Sequence, residues 1–81
     1  MFTNKSVNGN NNICGPQIYK KRKELGISQR KLADMLQLEN LNIDKNAIQR
    51  IEAGKRFVTD IELITISKVL SISLENLLNI T

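Results

Sequence analysis

The chain has 81 residues, one cysteine, no histidine and a formal net charge of +4. A single cysteine excludes a disulfide within the chain, and the residues present supply too few ligands for a protein zinc site. No stretch has the length of a membrane span, and the first residues lack the apolar core of a signal peptide. Without histidine, acid–base catalysis would fall to eight scattered carboxylates. We therefore expect one small cytoplasmic domain that has no cofactor or metal and is not an enzyme.

The positive charge is concentrated in the first part of the chain. Residues 1–58 carry a net charge of +6, whereas residues 59–81 carry −2. A basic front and a mildly acidic back suit a protein that turns one side toward a polyanion.

The amino-terminal stretch is rich in asparagine and lacks apolar periodicity. It predicts a flexible arm over residues 1–14, followed by the folded domain over residues 15–81. Within the arm, we interpret Cys14 as a structural residue at the edge of the fold, with a reactive thiol as the alternative. The first helix is predicted over 16–25, because a proline suits its first turn and Gly26 suits a left-handed terminator.

The next two helices are predicted over 28–38 and 44–53. Asp44 is a good N-cap for the second of them, and Ile43 and Ile48 have the spacing of a hydrophobic staple. The outer face of this helix carries side chains of the types that bind base edges and phosphates: Lys45, Asn46, Gln49 and Arg50. An amphipathic helix with such a face, braced by a preceding helix, is typical of a helix-turn-helix DNA reader.

Two further helices are predicted over 60–70 and 74–79. Thr59 and Glu62 form a capping box before the first, and Ser73 can cap the second. The chain contains no internal repeat and no linker long enough to divide it. The predicted fold is therefore all-α, with five short helices.

Three stretches carry a resemblance to a known family: KRKELGISQRKLADML, IDKNAIQRIEAGKR and LITISKVLSISLENLL. In this order they resemble the Cro and phage-repressor type of helix-turn-helix regulator, the XRE family, from Gly15 to about Ile80. The resemblance implies a compact, lambda-repressor-like DNA-binding domain. In one departure from the family, residues 38–43 join the second and third helices by a longer connection than the usual turn of about four residues. This length affects the orientation of the third helix, which the resemblance makes the DNA-reading helix.

The resemblance also implies what the protein does. We expect a sequence-specific transcriptional regulator, a repressor, that binds a palindromic operator in double-stranded DNA as a homodimer. We expect no contact with a membrane and no small-molecule effector.

Individual positions acquire roles in the same way. The base-reading positions correspond to Lys45, Asn46, Gln49 and Arg50. The predicted phosphate-binding residues are Gln17, Lys20, Gln29, Lys55 and Arg56. For Asn46 the alternative is additional capping of its helix, and for Gln49 it is a phosphate or water contact.

Two structural roles complete the prediction. The resemblance implies an ion pair between Arg22 and Glu52, with a solvated Arg22 as the alternative. For the two-fold contact of the dimer we predict Leu74, Leu78 and Ile80. The alternative is that these three residues close the core of the monomer.

Other classes of function are considered beside this one. An antitoxin or a controller protein of a restriction–modification system would use the same motif partly for protein–protein contacts. A binder of RNA or single strands would normally present stacking aromatic side chains, and the three aromatic residues of this chain are too few and too dispersed for that.

Overall fold

The computed structural model describes residues 9–79, and within that range α-helix is the only regular secondary structure. The five helices are α1 (Gly15–Leu25), α2 (Gln29–Leu38), α3 (Lys45–Glu52), α4 (Asp60–Leu70) and α5 (Leu74–Leu78). Each helix begins and ends within one residue of its predicted bounds, so the all-α prediction is confirmed. Over residues 9–79, no helix combines the length and the apolar composition needed to cross a membrane.

Side-chain caps explain why most of these helices begin where they do. Four of the five helices are preceded by a residue whose side-chain oxygen accepts a hydrogen bond from the amide three positions later: Ser28, Asp44, Thr59 and Ser73. Each cap satisfies one of the amides that the first turn leaves without a partner. At α4 the box is complete, because the Glu62 carboxylate also accepts from the Thr59 amide at 2.9 Å.

The carboxyl ends of the first four helices share another device. A residue with positive φ lies one or two positions past each helix: Gly26, Asn40, Gly54 and Ser71. The amide of the following residue then bonds back to a carbonyl in the last turn, as in a Schellman motif. The following residue is a half-buried apolar one at three of these ends, but at α3 it is the exposed Lys55.

The core draws apolar side chains from all five helices. Its members, each at most 3 % exposed, are Cys14, Ile18, Leu32, Ala33, Leu36, Ile43, Ile48, Ile51, Ile66, Leu70 and Leu77. α3 packs against both α1 and α2, while α5 packs against α1 and α4. This arrangement buries one side of α3 and leaves its other side on the surface.

Cys14 belongs to this core. Burial raises the pKa of its thiol from 9.0 to about 11, so the group stays protonated at neutral pH. A protonated, buried thiol is a poor nucleophile, which supports the structural interpretation over the reactive one.

The amino-terminal segment reaches the domain before α1 begins. Residues 11–14 of the predicted arm contact the folded domain, because the amide of Asn11 donates to the Gly54 carbonyl at 2.8 Å and Cys14 is buried. Asparagine side chains can satisfy backbone carbonyls elsewhere in a fold, and the polar composition of the segment concealed this. The rest of the predicted arm, residues 1–8, lies outside the described residues.

Candidate nucleic-acid interface

The exposed side of α3 has the composition expected of a DNA-reading surface. Its outward residues are Lys45, Asn46, Gln49 and Arg50. Within residues 9–79, none of these four side chains has a hydrogen bond or an ion pair. On the opposite side, Ile48 and Ile51 are almost completely buried. The polar groups of this face are therefore available to a ligand while the helix itself is held in the core.

The amino end of α3 is fixed by neighbouring residues. Asp44 Oδ1 accepts a hydrogen bond from the Ala47 amide at 2.8 Å. Ile43 and Ile48 are both buried, as a hydrophobic staple requires. Because Asp44 makes the cap and the Asn46 side chain has no hydrogen bond to a described residue, the capping alternative for Asn46 is not what the structure shows.

The long connection before α3 has a defined shape. Asn40 takes the left-handed conformation, with φ of 66°, and the Leu41 amide bonds back to the Leu36 carbonyl at 3.0 Å. The side chain of Gln37 donates to the Ile43 carbonyl at 3.1 Å. Hydrogen bonds from α2 therefore brace the connection near both of its ends, so its extra length does not leave α3 loosely attached.

The carboxyl end of α3 is anchored by the ion pair of Arg22 and Glu52. Arg22 Nε lies 2.8 Å from Glu52 Oε2, and Arg22 Nη2 lies 3.0 Å from Glu52 Oε1. Their side chains are 7 % and 6 % exposed. The hydrogen bonds that Arg22 donates to Glu52 raise the pKa of the Arg22 guanidinium, which therefore stays charged. The bidentate geometry joins α1 to α3 at a fixed distance.

Further contacts complete that cluster. Arg22 Nη1 donates to the Ile27 carbonyl at 2.9 Å, and the Arg22 guanidinium carbon lies 5.4 Å from the centre of the Tyr19 ring. Gln29 Nε2 donates to Glu52 Oε1 at 3.0 Å. Gln29, which we predicted as a phosphate ligand, thus uses one of its amide hydrogens to bind the reading helix.

Arg56 occupies a different position from the one expected of a phosphate ligand. Its guanidinium makes a two-pronged ion pair with Glu62, with both N–O distances at 3.0 Å, and also donates to the Phe57 carbonyl. The hydrogen bond with Glu62 raises the pKa of Arg56 and lowers that of Glu62. We had assigned Glu62 only to the capping box, and no periodic pattern connects the two residues. Arg56 therefore holds the loop after α3 to the start of α4.

Two depressions among residues 9–79 lie beside α3. One brings Asn46 and Arg50 together with Asn42, Asp44 and Arg56. The other lies where α1 ends and where α2 and α3 begin, and among its lining residues are Lys23, Ser28, Gln29, Arg30 and Lys45. Lys45 therefore lies at the other depression from Asn46 and Arg50. Lys23 and Arg30 are exposed cations near the start of α2, and neither is among the predicted phosphate ligands.

The remaining predicted phosphate ligands do not lie together. Gln17 and Lys20 line a polar cleft between α1 and the start of α5, and none of the residues lining that cleft lines either depression beside α3. Lys55 is exposed just past the end of α3. The structure thus brings Lys55 next to the reading helix and places Gln17 and Lys20 on a separate cleft.

The predicted dimer residues differ in their exposure. Leu74 is 41 % exposed and Leu78 is half-buried, while Leu77 between them is buried. Ile80 lies outside the described residues. Two residues of α4 that we did not single out are more exposed than Leu74: Ile61 at 69 % and Ile64 at 59 %.

A helix packed against two others, with an exposed polar and cationic face, is typical of a helix-turn-helix DNA-binding domain. The model of the helix-turn-helix family HTH_3 matches residues 18–77, which span all of α2, α3 and α4. The chain therefore belongs to this family, and the resemblance to Cro and phage-repressor regulators of the XRE type is confirmed. A comparison with the curated proteins and one with the solved structures gave no significant match.

Proposed function

We propose that the protein is a transcriptional repressor that recognises a palindromic operator in double-stranded DNA as a homodimer. Membership of a DNA-binding regulatory family supports the general function. The observation that supports sequence-specific reading is the outer face of α3, where four polar or cationic side chains are exposed and have no partner among the described residues. Such a regulator acts in the compartment that holds the DNA, in agreement with the expected cytoplasmic location.

The chemistry of these side chains suggests how bases are read. Asn46 has an amide that can pair with both the N6 and N7 positions of adenine, and Arg50 can make two hydrogen bonds to guanine. They line the same depression, so both can address one stretch of major groove. Gln49 lies between them along the helix and serves as a further base, phosphate or water contact.

Phosphate contacts would frame that reading face. Lys55 follows the end of α3, and Lys45 lies near Gln29 at the start of α2. We therefore give Lys45 a contact with either a base edge or a phosphate, and Lys55 a phosphate contact. The cleft of Gln17 and Lys20 provides a more distant phosphate contact. We leave Arg56 out of this set, because its guanidinium binds Glu62.

The two-fold arrangement rests on the carboxyl-terminal end of the domain. Leu74 and Leu78 offer partly exposed apolar surface on α5, and a symmetric contact there would place two copies of α3 about one DNA turn, or 34 Å, apart. Sedimentation with a palindromic duplex tests this part. Two proteins per full site are expected, and one protein per full site would contradict the dimer.

Selection of binding sites from a random DNA pool tests sequence-specific reading. The wild type should enrich a palindrome, and Asn46→Ala or Arg50→Ala should each cost about 1–3 kcal/mol on that site and relax the preference at one position. Arg30→Ala is the matched control, because it removes the same charge as Arg50→Ala from a neighbouring helix. It should weaken binding to all sequences alike. Unchanged preference in both α3 variants, or no enrichment by the wild type, would contradict the proposal.

A further inference from the structure

One asparagine side chain ties three parts of the fold together. Asn12 Nδ2 donates to the Ile51 carbonyl at 3.0 Å and to the Arg56 carbonyl at 2.8 Å. Asn12 Oδ1 accepts from the Gly15 amide at 2.9 Å. The first of these contacts is in the last turn of α3, the second is in the loop that follows α3, and the third is at the start of α1. The Ile51 carbonyl also accepts from the Gly54 amide at 2.9 Å, so the Asn12 side chain adds a second hydrogen bond at the end of α3 and one in the loop that follows it.

Asn11 reinforces the same place. Its amide donates to the Gly54 carbonyl at 2.8 Å, and its Nδ2 donates to the Lys55 carbonyl at 2.9 Å. Its Oδ1 is buried without a hydrogen-bond partner among the described residues, which offsets part of what these two bonds contribute. Asn11 should therefore hold the end of α3 less strongly than Asn12 does.

The backbone contact beneath these side chains is close. A Cβ atom added to Gly15 would clash with the Ile51 carbonyl oxygen. Only a glycine therefore lets the start of α1 lie this close to the end of α3. The position of the reading helix is thus set by direct backbone contact as well as by side-chain hydrogen bonds.

We propose that Asn11 and Asn12, here called the asparagine clamp, are positioning residues for DNA recognition. α3 has only eight residues, too few to form a stable helix without tertiary support. The clamp holds its last turn and the Gly54–Arg56 backbone, and so sets the tilt of the reading face and the place of Lys55. The inference rests on the proposed function, since it assigns the clamp a role in base recognition.

The clamp makes a prediction that a purely structural role does not. Asn12→Ala should lower affinity for the selected site by about tenfold, the size of one lost base contact, and leave affinity for random DNA within about twofold. Amide hydrogen exchange should quicken at residues 53–55, whose amides bond back into α3, and not in α2. Asn12→Asp keeps an oxygen for the Gly15 amide but turns an acceptor toward both carbonyls. Its affinity for the selected site should fall at least as far as that of Asn12→Ala.

Controls separate this outcome from general destabilisation. Asp34→Ala removes an exposed polar side chain from α2 that lines none of the three depressions described above, and should change neither the exchange of α3 nor the base preference. If Asn12→Ala does not fold, Asn11→Ala provides the milder variant, with the same local pattern expected. Exchange that quickens equally in all helices, together with an unchanged ratio of specific to random binding, would overturn the positioning role. If the wild type shows no site preference, the proposed function fails, and exchange at residues 53–55 alone decides whether the clamp holds α3.

Discussion

The two ends of α3 are held in different ways. At the amino end, Asp44 and Ile43 are adjacent to the helix that they cap and staple. At the carboxyl end, Arg22 and Asn12 reach the helix from 30 and 39 positions away in the chain. The local contacts decide where the helix begins, whereas the distant ones decide which way it points. For a helix proposed to enter a DNA groove, the direction matters as much as the start.

Two ion pairs with similar geometry occur near that carboxyl end. Arg22 and Glu52 join α1 to α3, and Arg56 and Glu62 join the following loop to α4. The first pair is the more buried, so the loss of one partner should be more costly there. If the distant contacts stabilise the fold more than the local ones do, their removal should lower the free energy of unfolding more.

The largest expected effect is that of Arg22→Ala. It would leave the Glu52 carboxylate buried without its main partner, at a cost of about 3–5 kcal/mol in the free energy of unfolding. Urea denaturation measures this cost. Arg30→Ala, an exposed arginine in α2, is the control and should change stability by less than about 0.5 kcal/mol. The double variant Arg22→Met/Glu52→Leu should recover much of the loss. A smaller cost for Arg22→Ala than for Asp44→Ala would contradict the conclusion that the distant contacts at the carboxyl end outweigh the local cap at the amino end.

The second-largest effect is expected from a substitution in the turn that ends α3. Gly54 has a φ of 77°, a conformation that costs a residue with a Cβ atom about 1–2 kcal/mol. Gly54→Ala should therefore lower the melting temperature. Ser71→Gly is the reverse experiment, because a residue with a Cβ atom already holds φ of 54° there. It should raise the melting temperature, and a change of the same sign in both variants would contradict this explanation.

Removing the local cap should have a moderate effect. Asp44→Ala takes away the acceptor for the Ala47 amide and should cost about 1 kcal/mol in the free energy of unfolding. Asp44→Asn is the matched control, since an asparagine side chain caps a helix equally well. Thermal unfolding followed by circular dichroism compares the two. Equal losses would show that the charge of Asp44, rather than the hydrogen bond, is what matters.

The smallest expected effect is the loss of stability at acidic pH. The hydrogen bond with Arg56 lowers the pKa of Glu62 from its usual 4.5, so the folded state favours the ionised carboxylate. The resulting stabilisation is present above that pH and is lost as the pH falls through the pKa of the folded state. The difference in unfolding free energy between wild type and Glu62→Gln should therefore shrink below pH 4.5. Arg56→Met should flatten the same pH dependence, and a difference that grows in acid would contradict the assignment.

The local part of this structure could be predicted because its signals lie within a few residues of one another. Ser28, Asp44 and Thr59 each cap an amide three positions ahead, and apolar side chains recur at the period of a helix. The left-handed residues after α2 and α4 were exceptions. Asn40 and Ser71 take this conformation, but no glycine marks either place.

The same distinction between local and distant contacts separates the parts of the candidate site that could be predicted from those that could not. The composition of the outer face of α3 could be predicted, because burial of Ile48 and Ile51 forces the other side of the helix outward. The ion pair of Arg56 with Glu62 and the attachment of Asn12 could not, because charged and amide side chains accept many partners and no spacing selects one. These missed contacts changed the expected role of Arg56 and of residues 11–14.

By itself the sequence determined the helices, the buried residues of α3 and the chemistry of its outer face. Those features follow from hydrogen bonds and periodicities that span about one turn of helix, so neighbouring residues are sufficient to specify them. Only the tertiary structure decided that Lys45 lies at a different depression from Asn46 and Arg50, and that Asn12 holds the far end of α3. These features depend on how the helices pack in space, where residues distant in the chain come within hydrogen-bonding distance.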